Sequence, residues 1–214
     1  MNSGNCQYIK YWEEKGAKKN FSTPFQQEIF ERQVNKDAVI LDVGCGYGRL
    51  MVQLIESGFE NVKGVEPSET LRERGLEQNS SLNIFPLRNG KISFGDNSFD
   101  AVLLVAVLTC VPDNAEQLAL INEIHRVLKP GGIIYINDFL LNNDQRNLDR
   151  YKEYEDKHNC YGIFELEGGG VLRHFTEQYV NDLLNNFQLI ESQKVVYTTM
   201  NGNKSNGFYY IGRK

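Results

Sequence analysis

The stretch AVILDVGCGYGRLMVQLIESGFENVKGVEPS, residues 38–68, decides the fold of this chain. Its first six residues are apolar apart from Asp42, the pattern of a strand buried on both faces. Glycines follow at every second position, Gly44, Gly46 and Gly48. A helical pattern then starts at once, with Leu50, Met51, Leu54 and Ile55 on one face and Gly58 as its stop. A second apolar run, NVKGVE, ends in Glu66, and Ser68 is placed to cap the helix SETLRERGLEQ. Strand, glycine turn, helix and strand in this order open a parallel α/β sheet.

The same rhythm continues outward. LNIFPL (82–87) is a weaker third strand and SFDAVLLVAVL (98–108) the strongest strand signal in the chain. Leu118, Ile121, Ile124 or His125, and Leu128 fall at helical spacing, and KPGG (129–132) ends that helix before a fifth strand, GIIYINDF (132–139). From 139 to 175 the sequence turns polar, charged and aromatic, with an EGGG turn at 167–170. Thr176 is a good N-cap for EQYVNDLLNNF, and LIESQKVVYTTM with NGFYYIGRK predicts a closing antiparallel hairpin. The expected organisation is one domain over 1–214, with a helical cap at 1–36 broken at STPF and a lid or insertion at 139–175.

A chain of 214 residues supports one sizeable core, and 41% hydrophobic with 24% charged residues is the balance of a globular protein. The longest apolar run, AVLLVAVL (101–108), is too short for a bilayer span, and the first residues lack a basic lead and an apolar signal core. Cys6, Cys45, Cys110 and Cys160 show neither CxxC nor Cys/His spacing, so no metal site and no disulfide framework is expected. Cys45 reads as a small side chain in a tight loop, and the cytoplasm is the expected location. A net charge of −5 argues against a protein that tracks nucleic-acid backbones, and the cluster Lys15, Lys18, Lys19 reads as a solvated helix face.

Ligands of open α/β sheets bind at the strand ends beside the first strand, where DVGCGYG lies. Glu66, at the tip of the second strand, is placed to accept hydrogen bonds from both hydroxyls of a ribose. Dinucleotide-binding domains share glycines and a distal acid, but here the spacing is GxGxG, and Asp42 stands at the mouth of the loop. A carboxylate there repels a pyrophosphate. It suits a ligand without phosphates that carries a sulfonium and an ammonium group, S-adenosylmethionine. A bracing role for Asp42 in the turn is the alternative.

Four segments, VILDVGCGYGRL, GVEPS, DNSFDAVLLVAVL and EIHRVLKPGGIIYINDF, occur in order over residues 37–138, and with them the chain resembles the class I S-adenosylmethionine-dependent methyltransferases. The resemblance implies a three-layer Rossmann-like α/β sandwich with a seven-stranded sheet of order 3-2-1-4-5-7-6, strand seven antiparallel. It implies that Gly44, Gly46 and Gly48 line the methionyl and ribose part of the cofactor. Asp42 then lies near its amino group, Glu66 takes the ribose hydroxyls, Pro67 borders the adenine, and Val105 and Ala106 offer backbone groups. Arg49 either pairs with the cofactor carboxylate or is a plain surface arginine. The chain departs from the family where an acid commonly binds the adenine amino group. Leu87 and Arg88 stand there, which leaves Asn89 and the Asn89–Gly90 backbone as substitutes.

Methyl transfer needs alignment of the acceptor and exclusion of water more than it needs a base. Tyr8, Tyr11, Trp12 and Phe21, then Tyr151, Tyr154, His158, Tyr161, Phe164, Arg173 and His174, lie in the segments expected to cover the reacting groups. These aromatics either pack the cover onto the sheet or wall an acceptor pocket, with Tyr11, Trp12 and Tyr161 the pocket candidates. His174 is the preferred base, His158 the second, and Asp138 is expected to orient an acceptor; His125 reads as structural. No NPPY or DPPY tetrad follows the fourth strand, where AVLTCVPD stands, so DNA is a poor expected substrate. A small molecule methylated on oxygen or nitrogen is the expected acceptor, with protein and tRNA left open because a local basic patch need not show in the net charge. A cofactor-binding module without catalysis and an NAD(P)-dependent oxidoreductase are the competing readings; the second lacks a YxxxK pair.

Overall fold

Runs rich in Val, Ile and Leu form the middle of the sheet: β1 (Val39–Val43), β2 (Asn61–Glu66), β3 (Ile84–Pro86), β4 (Phe99–Val105) and β5 (Leu128–Phe139). The computed structural model describes residues 3–214, with side chains from residue 9 onward, so the side chains of Cys6 and Tyr8 lie outside the described set. A separate hairpin is made by β6 (Ile163–Glu165) and β7 (Val171–Arg173), and the chain closes with β8 (Gln188–Thr198) and β9 (Lys204–Arg213). The large sheet runs β3-β2-β1-β4-β5-β9-β8, and β9 pairs antiparallel with both neighbours. Numbered over its own seven strands, that order is the expected 3-2-1-4-5-7-6.

The helices are α1 (Ser3–Glu14), α2 (Gln27–Glu31), α3 (Arg49–Glu56), α4 (Glu69–Gln78), α5 (Asn114–Val127), α6 (Gln145–His158) and α7 (Glu177–Leu183). Strand alternation sorts the core into two layers. Leu41, Val43, Val102, Leu104, Ile134 and Ile136 pack with Leu120, Ile121 and Ile124 of α5 and Val180 of α7. Ile40, Ala101, Leu103, Ile133 and Tyr135 pack on the other side with Phe30, Met51 and Leu54. Ser68 and Thr176 cap α4 and α7 as expected, accepting from the amides of Leu71 and Tyr179. Two sequence expectations shift. Leu118 is 47% exposed, because Gln117 and Leu120 take the buried face of α5. β5 starts at Leu128 rather than Gly132, with KPGG bulging between the pairs Phe99–Leu128 and Ala101–Ile133.

The N-terminal segment is strapped across the strand ends by its backbone. The Phe21 amide donates to Tyr47 Oη at 3.0 Å, and Arg74 Nη1 donates to the carbonyls of Ala17 and Lys19. Glu13 of α1 reaches the start of α4, where its carboxylate accepts from the amides of Glu69 (2.6 Å) and Thr70 (3.0 Å) and from the Thr70 hydroxyl. This supplies from another helix the acceptors that a helix N-terminus requires. Loss of such a cap costs about 1 kcal/mol. Glu13→Ala is therefore expected to speed amide exchange at Glu69 and Thr70 severalfold, with unchanged exchange contradicting the strap.

Candidate functional site

The glycine loop is held by the next strand. Gly44, Gly46 and Gly48 all adopt positive φ (69°, 57° and 80°), the left-handed region that a side chain disfavours. Gly44 and Cys45 donate to the Val65 carbonyl, and the Gly46 amide donates to Glu66 Oε2 at 2.9 Å. Glu66 Oε1 accepts from the Ser68 amide at 2.8 Å. Arg72 Nη1 holds the same corner through the carbonyls of Glu66 and Pro67. Each carboxylate oxygen of Glu66 thus holds one backbone amide and keeps acceptor capacity on the side that faces the cavity beside it. Burial pushes Glu66 up to about 7, against the two amides and Arg72.

Asp42, next to last in β1, lines the floor of that cavity. It is 2% exposed, and its Oδ2 is buried without a hydrogen-bond partner. Burial pushes its carboxyl up to about 7; the Arg49 charge opposes this and the Glu66 charge adds to it. Arg49, at the start of α3, is no plain surface residue. One guanidinium nitrogen donates to the Thr23 carbonyl at 2.6 Å, while Nε is buried and unpartnered. Asp42 and Arg49 form no direct ion pair among the described residues. A buried acceptor and a buried donor, both unsatisfied, therefore flank one cavity. Unmet groups of this kind cost roughly 1–3 kcal/mol each until something binds them.

The cavity measures ≈ 310 Å³, within the range of small-ligand sites. Of the expected residues it brings together Asp42, Gly44, Arg49, Glu66, Pro67, Asn89, Gly90, Val105, Ala106, Trp12 and His174. Asn89 and Gly90 carry positive φ (54° and 68°) in a tight turn between Arg88 and Lys91, so backbone lines the wall where the sequence has no acid. The Ala106 amide is taken by the Asn137 carbonyl at 2.7 Å, so Ala106 offers its carbonyl and not its N–H.

Other expectations are corrected. Gly46 and Gly48 do not line the cavity: a Cβ on the first meets Phe21 and on the second Leu82, so their role is close packing. Asp138 is fully buried and accepts from the Thr109 and Phe139 amides. Strand alternation turns it away, and its neighbour Phe139 lines the cavity. Tyr11 is buried away from the cavity with its hydroxyl bonded to Lys19 Nζ, and Tyr161 is 42% exposed against Tyr151. His158 faces Glu165 at 2.9 Å.

His174 does line the cavity, but burial, with Arg150 and Arg146 close by, pushes it down to about 3. The ring is neutral at physiological pH and so has a nitrogen free to accept a proton, but burial makes it a weak base. Arg146 and Arg150 are lining residues that the sequence reading passed over. Their signal was present: an i, i+4 arginine pair shares one face of a helix.

The unsatisfied Asp42 fixes a pH dependence. Its folded value of about 7 lies above the ordinary aspartate value of ~3.9, so the folded state holds an extra proton between them. Stability therefore falls as pH rises through that window, and the loss is complete above the folded value. Asp42→Asn is expected to melt above wild type at about pH 8, with the gap shrinking at about pH 5. An equal or lower Tm at the higher pH contradicts the assignment.

Comparison with known proteins agrees with this geometry. Residues 41–136 match a family model described as a methyltransferase domain. A demethylmenaquinone methyltransferase from Staphylococcus epidermidis is 38% identical over 106 residues, 47% of this chain and 43% of that protein. Its Staphylococcus aureus counterpart is 34% identical over 120 residues, 51% and 48%. The chain thus spans about half the length of these relatives. An S-adenosylmethionine-dependent methyltransferase structure from Methanosarcina mazei superposes with TM-score 0.82 at 28% identity, over 87% of this chain and 96% of that one. A Burkholderia thailandensis 1,6-didemethyltoxoflavin-N1-methyltransferase, solved with bound 1,6-didemethyltoxoflavin and S-adenosylhomocysteine, shares the fold with TM-score 0.68 at 20% identity, over 98% and 84%. In matching segment, sheet order and superposition the chain is thus similar to S-adenosylmethionine-dependent methyltransferases.

Proposed function

We propose that this chain methylates a small-molecule acceptor with S-adenosylmethionine. The observation that carries the reading is the pair of unsatisfied buried groups, Asp42 Oδ2 and Arg49 Nε, at one end of a largely apolar cavity. An α-amino acid moiety answers both at once, its ammonium against Asp42 and its carboxylate against Arg49. Glu66 keeps acceptor capacity for two ribose hydroxyls while anchoring Gly46 and Ser68. Pro67, Leu87 and the Asn89–Gly90 turn would border the adenine, and Val105 and the Ala106 carbonyl the methionyl chain. The Asp42 charge disfavours a pyrophosphate in the same place.

When bound, the cofactor supplies a methyl group made electrophilic by its sulfonium. The chain's contribution is alignment and exclusion of water. Trp12 and Phe21 wall the cavity from the N-terminal cap, and Phe139, Phe164, Leu166 and Leu172 wall it from the segment 139–175, which would act as a lid. No helix among the described residues is long and apolar enough to cross a membrane. The free thiols of Cys45, Cys110 and Cys160 suit a reducing compartment, the cytoplasm.

Calorimetric titration tests the assignment with S-adenosylmethionine, S-adenosylhomocysteine and NAD⁺ in parallel. Both adenosyl ligands are expected to bind and NAD⁺ to give no heat. A charge-assisted hydrogen bond is worth about 1.5–3 kcal/mol, so Asp42→Ala or Glu66→Ala is expected to weaken S-adenosylmethionine by about tenfold or more. Unchanged affinity in both variants removes the site from this cavity.

A further inference from the structure

The half of the cavity away from the glycine loop has its own chemistry. α6, β6 and β7 supply Arg146, Arg150, Phe164 and Leu172 to this wall, and His174 joins them just after β7. The acids that line the cavity, Asp42, Glu66 and Glu116, belong to β1, β2 and α5 instead. Arg146 meets Asp144 only loosely, at 3.7 Å, with both side chains about half exposed. Arg150 has no ion pair among the described residues. Its guanidinium carbon lies 3.4 Å from the Phe164 ring centroid, and its Nε is buried without a partner. A cation–π contact returns about 0.5–2 kcal/mol, less than a partly buried guanidinium gives up with its water.

Beside it, the proton on His174 has a fixed address. The Asn206 amide can only donate, and it donates to Asn142 Oδ1 at 2.7 Å. That orients Asn142, so its Nδ2 is the atom 3.2 Å from His174 Nδ1. Both Nδ2 protons have nearer acceptors, the Leu140 carbonyl at 2.9 Å and Ser205 Oγ at 3.1 Å, so the tautomer turns on Tyr151. Its hydroxyl accepts from the Asn142 backbone amide and lies 2.6 Å from Nδ1 against 3.4 Å from Asn147 Oδ1, and donation to the nearer atom makes Nδ1 the acceptor. The single proton of the neutral ring stands on Nε2. That atom has no hydrogen-bond partner among the described residues, and His174 lines the cavity. Phe139 stacks on the ring and Phe164 meets it edge-on, which holds the donor still.

We propose that the methyl acceptor is an anion, with a carboxylate or ionised hydroxyl held between the Arg150 guanidinium and the His174 Nε2–H, and an apolar body among Phe139, Phe164 and Leu172. The inference rests on the methyltransferase reading and adds the substrate class to it. It also recasts His174 as a donor that positions the acceptor.

The test uses the full chain with benzoate and 2-naphthoate as probes against their neutral amides, titrated with and without saturating S-adenosylhomocysteine. At least one acid is expected to bind about tenfold tighter than its amide. Arg150→Met, which keeps an apolar stem on Phe164, is expected to remove that preference while S-adenosylhomocysteine affinity stays unchanged. Nitrogen-15 shifts of His174 in the wild-type chain are expected to report the Nε2–H tautomer at neutral pH, a readout independent of any variant's folding. Equal affinity for acid and amide, no binding of any probe, or an Nδ1–H tautomer overturns the inference. Failure of S-adenosylhomocysteine to bind wild type overturns the cofactor reading instead.

Discussion

One carboxylate joins the two turns on which the rest of the site depends. Glu66 holds the Gly46 amide with one oxygen and the Ser68 amide with the other, so the loop after β1 and the loop after β2 share a buried pin. The pin sets the glycine loop at its positive-φ geometry beside the cavity that Asp42 and Arg49 line. It also fixes the start of α4, where Glu13 brings the N-terminal cap across. A shift at Glu66 would therefore reach the floor, the wall and the cover of the site together.

Charge is divided across the cavity. Buried acids stand on the sheet side with Arg49 beside them, while Arg146, Arg150 and a neutral imidazole come from the segment after β5. Each group sits in surroundings that disfavour its charge: Asp42 is pushed up to about 7 and His174 down to about 3, both chiefly by burial. A protein gains no stability from leaving such groups unmatched. Their persistence around one apolar space is understandable when a bound zwitterion at one end and an anion at the other complete the arrangement. The protein gives up stability on its own and recovers it on binding.

The fold was legible because its signals are local. β1, β2 and β4 are short apolar runs, Ser68 and Thr176 are caps with partners three residues on, and GxGxG leaves few alternatives to a tight turn. The floor of the site followed from the fold, since Asp42 and Glu66 sit at strand ends. The cover did not follow. Phe139 rather than Asp138 faces the cavity, a one-residue phase that depends on how β5 pairs across the KPGG bulge. Residue type alone points to Tyr11 and Tyr161, and tertiary packing buries the first and leaves the second exposed. His174 lies in a segment expected to cover the site, but its tautomer depends on Tyr151, 23 positions before it, which no local pattern connects.

The central claim is that one ligand satisfies Asp42, Arg49 and Glu66 together, and a crystal structure with S-adenosylhomocysteine tests it most directly. The account predicts the ribose hydroxyls on Glu66, the ammonium group at Asp42 Oδ2 and the carboxylate at Arg49. A ligand bound elsewhere, or bound here with Asp42 and Arg49 still unpartnered, would contradict it.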